Sequence, residues 1–328
     1  MNVVKPKIAV IGSGTWATAI VKILTDNLPS IYWWVREPEI VESVQSTGRN
    51  PLYLSSVTLN PKQVKISSDL KKTVSKADIL VLVVPSAYLH NTLSELSIRD
   101  LKNKYIVSAI KGIVPERMEF ISSYLMHYYN IPSDNLGIIS GPSHAEEVAW
   151  EKTTYLTAAS LNADFAQQIA DLFNNDYVHV NTSEDIFGIE FSVVLKNIYA
   201  LAAGIFRGMA AGDNLLALFN VNCINEMINF VNTVYPNKDR NFYTAPYLGD
   251  FLVTTYSQHS RNRSFGIMIG RGYSVRTAQL EMKMVAEGYY ATRCIYEMNM
   301  NYKATIPIID AVYGILYKKA SFRQEMYN

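Results

Sequence analysis

Branched apolar residues form short continuous runs in the first half of the chain, and each run ends at glycine, proline or polar residues. These runs are Lys7–Ile11, Ile31–Val35, Ala77–Val84, Tyr105–Ile110 and Leu136–Ser140. Apolar runs without alternation are typical of strands that are buried on both faces of a parallel sheet. Segments with helical spacing, such as Ala87–Leu96 and Glu116–Tyr129, separate them. The alternation predicts an α/β fold with a doubly wound, mostly parallel sheet.

From about Ser183 onward, helical spacing replaces the strand pattern. It predicts helices over Ile186–Gly204, Leu215–Val234, Ala278–Ala286 and Ile306–Tyr317. Leu156–Ala159 and Tyr177–Val180 still have the composition of strands, so the boundary falls near Asn181. We therefore predict a Rossmann-type domain over residues 1–181 and an all-helical domain over residues 182–328.

One predicted helix, Phe191–Gly204, is apolar or small on nearly every side and yet carries Lys196. A helix that is hydrophobic all round is normally buried, and lysine is rarely buried unless it is paired. Ser192 and Ala200 lie one turn away on the same face and leave space around the lysine. Spacing alone allows two interpretations, a lysine that extends to water or a lysine that reacts.

Composition and charge narrow the class of protein. The chain has 328 residues, 49% of them hydrophobic, and a formal net charge of +1, with no basic cluster that would predict nucleic-acid or electrostatic membrane binding. Cys223 and Cys294 lack metal-ligand spacing, so we predict no metal site. The N-terminus enters a strand directly and the longest apolar runs are short, so we expect a cytoplasmic protein without a signal peptide or a membrane span.

A glycine-rich turn follows the first strand. Gly12-Ser13-Gly14-Thr15-Trp16-Ala17 matches G-x-G-x-x-G/A between a strand and a helix, the context that this dinucleotide-binding motif requires. Gly12 allows the tight turn, and Gly14 lets the backbone approach a pyrophosphate at the helix N-terminus. The alternative is a tight turn without a ligand.

The second strand ends in Arg36 and Glu37. In this fold an acidic side chain at that place binds the ribose 2′-hydroxyl of NAD, whereas an arginine suits the 2′-phosphate of NADP. Arg36 favours NADP(H), and Glu37, one residue further on, keeps NAD possible.

Other strands also end in polar residues. Lys111 follows the fourth predicted strand and Ser143 follows the fifth, and ligands of such sheets bind at the carboxyl ends of the strands. Ser257–Gly266 combines arginines, an asparagine and serines, a composition suited to binding phosphate. A solvated loop is the alternative interpretation of that segment.

Taken in order, the motifs GSGTWATA, VVPS, AIKG, ISGPS, LKN, LGD, SRNRSFG and AEGYYAT resemble those of the bacterial NAD(P)-dependent glycerol-3-phosphate dehydrogenases. The resemblance covers nearly the whole chain and weakens over residues 215–247. It implies a Rossmann domain, a helical domain and the interconversion of dihydroxyacetone phosphate and sn-glycerol 3-phosphate, which supplies phospholipid synthesis. The expected ligands are NADP or NAD and a triose phosphate. We expect a homodimer, although no residue pattern specifies one.

The resemblance also implies a role for individual residues. Lys196 matches the catalytic proton donor and acceptor. The implied substrate contacts are Lys111, Gly141, Ser143, Asp250, Ser260, Arg261 and Asn262. Beside the glycine turn, the implied cofactor contacts are Thr15, Trp16, Arg36, Lys111, Ala145, Arg261, Val285 and Glu287.

Reduction of a ketone needs a hydrogen-bond donor at the carbonyl oxygen and finally a proton. The ammonium of Lys196 could supply both if burial and a second cation such as Lys111 lowered its pKa. Two other functions stay open at this point. One is a two-domain 3-hydroxyacid or ketopantoate-type reductase, and the other is a dinucleotide sensor without catalysis.

Overall fold

The protein is represented by a computed structural model that describes residues 6–282, 286–321 and 325. The chain divides into two compact units. Unit 1 comprises Met1–Val84, Tyr88–Ile110 and Ile121–Ile186, and unit 2 comprises Pro85–Ala87, Lys111–Phe120 and Phe187–Asn328. The boundary near Asn181 stays a prediction, and that residue lies within the last strand of unit 1.

Unit 1 is built on an eight-stranded sheet. In chain order, the strands of the described residues are β1 (Ile8–Ile11), β2 (Ile31–Trp34), β3 (Val64–Ser67), β4 (Ile79–Leu82), β5 (Tyr105–Ser108), β6 (Ile113–Val114), β7 (Glu119–Phe120), β8 (Leu136–Ser140), β9 (Thr154–Ala159) and β10 (Val178–Ser183). All of them except β6 and β7 belong to this sheet. The sheet order is β10-β9-β8-β5-β4-β1-β2-β3, and every neighbouring pair is parallel except β8 with β9. The predicted mostly parallel sheet is thereby confirmed.

Helices pack on this sheet and bury its central strands. Every residue of β1 and β4 is buried, as expected for parallel strands that are covered on both faces. The helices are α1 (Thr15–Asn27), α2 (Pro38–Thr47), α3 (Leu70–Ser75), α4 (Ser86–Leu93), α5 (Ile121–Tyr129), α6 (Ala145–Ala149) and α7 (Ala163–Phe173). The first residues of α4 cluster with unit 2.

Unit 2 is helical apart from the antiparallel pair β6 and β7. Its helices are α8 (Ile186–Gly208), α9 (Asp213–Val234), α10 (Asp250–Tyr256), α11 (Arg261–Gly270), α12 (Val275–Glu281), α13 (Glu287–Tyr302) and α14 (Pro307–Lys318). A π-helical turn, Ala245–Gly249, leads into α10. The predicted helical C-terminal domain is confirmed.

Helix α8 carries Lys196 and is largely buried. Among the described residues it is the one helix long and apolar enough to cross a membrane, which the apolar runs alone did not predict. Its most apolar stretch is 94% buried inside the protein, so α8 is a core helix.

Two segments differ from the sequence prediction. The helix expected over Glu116–Tyr129 begins only at Ile121, because Met118 adopts a left-handed conformation (φ 55°) and turns β6 back into β7. The helix expected over Ala278–Ala286 runs from Val275 to Glu281, and residues 283–285 lie outside the described part of the chain.

Candidate active site

The glycine turn of unit 1 is tied to the neighbouring strand. Gly12 has φ +140°, and a Cβ there would lie 2.8 Å from the carbonyl oxygen of Val83, so a side chain cannot be accommodated. The N–H of Gly12 donates to the carbonyl oxygen of Trp34 (3.1 Å), and Nε1 of Trp33 donates to the carbonyl oxygen of Gly12 (2.6 Å). These bonds fix the turn against the end of β2.

The start of α1 has the features of an anion site. Gly14 is the N-cap, no side chain caps the helix, and a Cβ on Gly14 would meet nothing within 4 Å. Nε1 of Trp16 is buried and has no hydrogen-bond partner among the described residues. Open backbone N–H groups at a helix N-terminus favour a phosphate. The turn therefore fits the pyrophosphate of a dinucleotide.

Asn50 is a residue of this site that the sequence did not reveal. Its side chain is fully buried, and its Nδ2 donates to the carbonyl oxygen of Ser13 and to Oγ1 of Thr18, both at 2.9 Å. Asn50 thereby holds the turn and the first helical turn of α1 together. It lies in a loop whose sequence shows no motif.

Arg36 and Glu37 form an ion pair after β2. Nη2 of Arg36 lies 3.0 Å from Oε1 of Glu37, and the side chains are 73% and 14% exposed, respectively. Oε2 of Glu37 is buried and accepts no hydrogen bond from the described residues. The arginine on which the NADP prediction rests is thus already paired with a carboxylate.

Three further predicted residues follow β8 in unit 1. Gly141 has φ +140°, and a Cβ there would lie 2.6 Å from the carbonyl oxygen of Tyr155. Oγ of Ser143 donates to the carbonyl oxygen of Gly141 (3.0 Å), and Ala145 begins α6. The turn therefore needs glycine, while the ligand roles of these residues stay predictions.

Unit 2 contains a buried cluster of charges. Asp250, the first residue of α10, accepts ion pairs from Lys111 (Nζ to Oδ2, 3.1 Å) and from Lys196 (Nζ to Oδ1). The side chains of Asp250 and Lys196 are 1% and 4% exposed, and that of Lys111 is 23% exposed. Residues far apart in the sequence thus bring two ammonium groups to one carboxylate.

The cluster shifts the pKa values of Lys196 and Asp250. Burial lowers the pKa of Lys196 to about 7, against the attraction of Asp250 and with the repulsion of Lys111. Burial alone would raise the pKa of Asp250, but the charges of Lys111 and Lys196 hold it below its ordinary value. Lys196 can consequently exist as amine or ammonium near neutral pH.

Two residues that the sequence analysis did not assign hold the lysines in place. Oγ1 of Thr254 accepts from Nζ of Lys196 (3.0 Å) and donates to the carbonyl oxygen of Asp250 (2.6 Å). Nδ2 of Asn197 donates to the carbonyl oxygen of Lys111 (2.7 Å). Thr254 follows Asp250 by four residues, and this one-turn spacing was a usable signal.

The predicted phosphate-binding segment forms the N-terminus of α11. Ser260 is its N-cap and accepts from the N–H of Arg263 (3.3 Å), and Arg261 is exposed at the first helical position. Oδ1 of Asn262 accepts from the N–H of Gly288 (2.8 Å). A cation and a helix N-terminus together favour a phosphate group.

Glycines set the packing of α11 on α8. A Cβ on Gly204 or Gly266 would collide with the backbone of the other helix, and a Cβ on Gly208 would lie 2.9 Å from Cα of Gly270. The two helices run parallel, because Leu201 faces Gly266 and Ile205 faces Gly270. We call the four glycines Gly204, Gly208, Gly266 and Gly270 the glycine seam. Each of the two helices contributes a G-x-x-x-G pair, a spacing that permits close contact between helices.

Glu287 is bonded to Ser86, and its predicted role as a cofactor contact stays a prediction. Its carboxylate accepts hydrogen bonds from Oγ of Ser86 and from the N–H of Ser86 (2.9 Å), and burial raises its pKa. A Cβ on Gly112 would lie 2.5 Å from Oγ of Ser86, so glycine is needed beside this pair. Val285, the other predicted late cofactor contact, lies outside the described residues.

Comparison with known proteins gives one family for both parts of the chain. Residues 7–166 match the family model of the NAD-dependent glycerol-3-phosphate dehydrogenase N-terminus, and residues 185–327 match that of the C-terminus. The glycerol-3-phosphate dehydrogenases [NAD(P)+] of Oceanobacillus iheyensis and Bacillus subtilis are 34% and 33% identical, over 95% of this chain and 90% of each relative.

A solved structure agrees with the sequence relatives. The crystal structure of glycerol-3-phosphate dehydrogenase from Coxiella burnetii is similar with a TM-score of 0.89 and 27% identity, covering 98% of this chain and 97% of that chain. Sequence similarity, the family models and the fold indicate the same family over almost the full length of the chain. The chain belongs to the NAD-dependent glycerol-3-phosphate dehydrogenase family.

Proposed function

We propose that this protein is an oxidoreductase that interconverts dihydroxyacetone phosphate and sn-glycerol 3-phosphate with NAD or NADP. The observation that carries the proposal is the buried Lys196–Asp250–Lys111 cluster, in which the pKa of Lys196 is lowered to about 7. Perturbed titratable groups of this kind are typical of acid–base sites. The relatives are named for this activity.

Lys196 is the proposed proton donor and acceptor. The nicotinamide cofactor supplies the hydride when it is bound. Reduction of the ketone places negative charge on the carbonyl oxygen, which the Lys196 ammonium stabilises before it transfers a proton to that oxygen. In the reverse direction the neutral amine of Lys196 takes the proton of the secondary alcohol.

The neighbours of Lys196 support this role. Asp250 and Thr254 fix its Nζ through an ion pair and a 3.0 Å hydrogen bond, so the side chain has little rotational freedom. Lys111 adds a second positive charge, which disfavours the ammonium form. Without burial and this charge, an ordinary lysine titrating near ~10.4 would be a poor base at neutral pH.

The binding roles are proposed from the chemistry of each group. The glycine turn and the open N-terminus of α1 would hold the dinucleotide, with Arg36 and Ala145 as further contacts. Arg261, at the start of α11, would bind the phosphate through its guanidinium, which is suited to bidentate bonds. The remaining proposed substrate contacts are Lys111, Gly141, Ser143, Asp250, Ser260 and Asn262.

We further propose that the protein works in the cytoplasm as a homodimer and that its glycerol 3-phosphate enters phospholipid synthesis. The support is the family resemblance together with a net charge of +1. Within the described part of the chain, the one helix that is apolar enough for a membrane is mostly buried in the core.

Replacement of Lys196 tests the proposal. Lys196→Met keeps the length of the side chain and removes the nitrogen, so oxidation of NADH and NADPH with dihydroxyacetone phosphate should fall by about a thousandfold or more. Binding of the reduced cofactor, measured by fluorescence titration, should be retained. Exposed Lys238 in unit 2 offers a matched control, Lys238→Met, which should keep full activity. Turnover of Lys196→Met within tenfold of the unmodified protein would exclude Lys196 as the acid.

A further inference from the structure

The end of β2 is held beside the glycine turn, which makes it a defined part of the dinucleotide site. Ile11 and Trp34 are paired in the parallel register of β1 and β2. The backbone N–H of Gly12 continues this pairing past the strand end by donating to the carbonyl oxygen of Trp34, and the Trp33 indole adds a side-chain bond to the carbonyl oxygen of Gly12. In this fold the adenosine ribose binds at the carboxyl end of the second strand. The residues directly after β2 are therefore the ones that meet the ribose.

Glu37 is one of these residues, and one of its carboxylate oxygens lacks a partner. Oε1 accepts from Arg36, whereas Oε2 is buried and accepts nothing among the described residues. The side chain does not cap its own helix either, although Glu37 occupies the N-cap position of α2. A buried acceptor without a donor is costly. A bound hydroxyl group would relieve that cost.

Arg36 is poorly prepared to bind a 2′-phosphate. Its side chain is 73% exposed, and its charge is already paired with Glu37 at 3.0 Å. To bind a phosphate it would have to leave the carboxylate or bring the phosphate close to it. The first arrangement leaves the Glu37 carboxylate without its partner, and the second places two negative groups near each other, which is unfavourable at short distance.

We propose that Glu37 determines the choice of cofactor. Its carboxylate accepts a hydrogen bond from the 2′-hydroxyl of the adenosine ribose, and its negative charge disfavours the 2′-phosphate, so the protein prefers NAD(H) to NADP(H). This preference is opposite to the one that Arg36 predicts in isolation. The inference rests on the proposed function only in requiring that the protein binds a dinucleotide.

Binding measurements without triose phosphate test the proposal directly. Fluorescence titration or calorimetry would give the Kd of NADH, NADPH and 2′-deoxy-NADH for the unmodified protein, for Glu37→Gln and for the control Glu39→Gln. The unmodified protein should bind NADH at least about tenfold tighter than NADPH, and 2′-deoxy-NADH about tenfold or more weaker than NADH. Glu37→Gln should tighten NADPH by about tenfold, since Arg36 loses its partner and the repulsive charge disappears. Glu39→Gln removes an exposed carboxylate from the first turn of the same helix and should leave the NADH to NADPH ratio within about threefold.

Three results would overturn the inference. They are equal or tighter binding of NADPH by the unmodified protein, equal binding of 2′-deoxy-NADH and NADH, and an unchanged NADH to NADPH ratio in Glu37→Gln. The deoxy comparison uses the unmodified protein and therefore does not depend on the folding of a variant. The proposed function is tested separately, because turnover of dihydroxyacetone phosphate with either cofactor supports it whatever the preference.

Discussion

The pH dependence of the two reaction directions is the most direct consequence of the charge cluster. Lys196 has a pKa of about 7 in place of 10.5, so at pH 7 about half of the molecules carry the neutral amine, compared with about one in three thousand for an ordinary lysine. Oxidation of glycerol 3-phosphate needs the amine, and its kcat/KM should rise through pH 7 to a plateau. Reduction of dihydroxyacetone phosphate needs the ammonium, and its kcat/KM should fall over the same range.

Removal of the neighbouring cation should shift both profiles. Lys111→Met takes away a charge that lowers the pKa of Lys196, so both midpoints should move to higher pH. A move of about 1 pH unit corresponds to about 1.4 kcal/mol of repulsion between the two ammonium groups. Coulomb's law allows an energy of that size for partly buried charges a few ångströms apart. Turnover itself should also fall, since Lys111 is a proposed substrate contact, and the midpoint is the informative quantity.

The assay is a pair of kcat/KM profiles from about pH 5.5 to 10. The phosphate of the substrate titrates near ~6, equally for every variant, so the comparison between variants cancels it. Lys238→Met should reproduce the unmodified profile. A midpoint that stays in place or moves to lower pH in Lys111→Met would refute the coupling between the lysines, and an unmodified midpoint near 10 would refute the lowered pKa.

Three further predictions concern other parts of the molecule. Gly266→Ala should destabilise unit 2 by about 1–3 kcal/mol, because the new Cβ would collide with the backbone of α8. The control Gly314→Ala, where a Cβ has only ordinary contacts, should change stability by less than about 1 kcal/mol. Melting curves that reverse this order would contradict the backbone contact. Glu226 accepts from two N–H groups at the start of α14, and burial raises its pKa from 4.5 to about 7. The folded state then keeps a proton that the unfolded chain loses, so stability should fall as pH rises from 4.5 to 7, and urea curves of Glu226→Gln should lose that slope. Asn50→Ala removes two hydrogen bonds worth about 1 kcal/mol each, and should weaken NADH binding by roughly tenfold or more in a titration; unchanged binding would show that Asn50 does not order the turn.

Features that depend on a short stretch of the chain could be predicted from the sequence. The glycine turn lies within six residues between a strand and a helix, so its motif and its structure could be recognised together. The apolar character of the helix around Lys196 likewise predicted burial. Resemblance to a family, more than spacing, identified both Lys196 and Asp250 as site residues, and their ion pair became visible only in the structure.

Other features depend on contacts between distant segments. Asn50 has no motif, and its role became visible only from its bonds to Ser13 and Thr18. The pairing of Arg36 with Glu37 changes the meaning of the arginine, and two adjacent residue names cannot show how their side chains are arranged. The G-x-x-x-G spacing of the glycine seam is present in the sequence, but the identity of its partner helix is a tertiary property.

The tryptophans of β2 give the molecule a built-in optical probe. The chain has four tryptophans, Trp16, Trp33, Trp34 and Trp150, and all of them belong to unit 1. Trp33 is fully buried and bonded to Gly12, so its emission should respond to any rearrangement of the glycine turn. Indole emission therefore follows the unfolding of unit 1 alone, while far-ultraviolet dichroism is dominated by the helices of both units. Non-coincident transitions in the two signals would reveal whether the units melt independently.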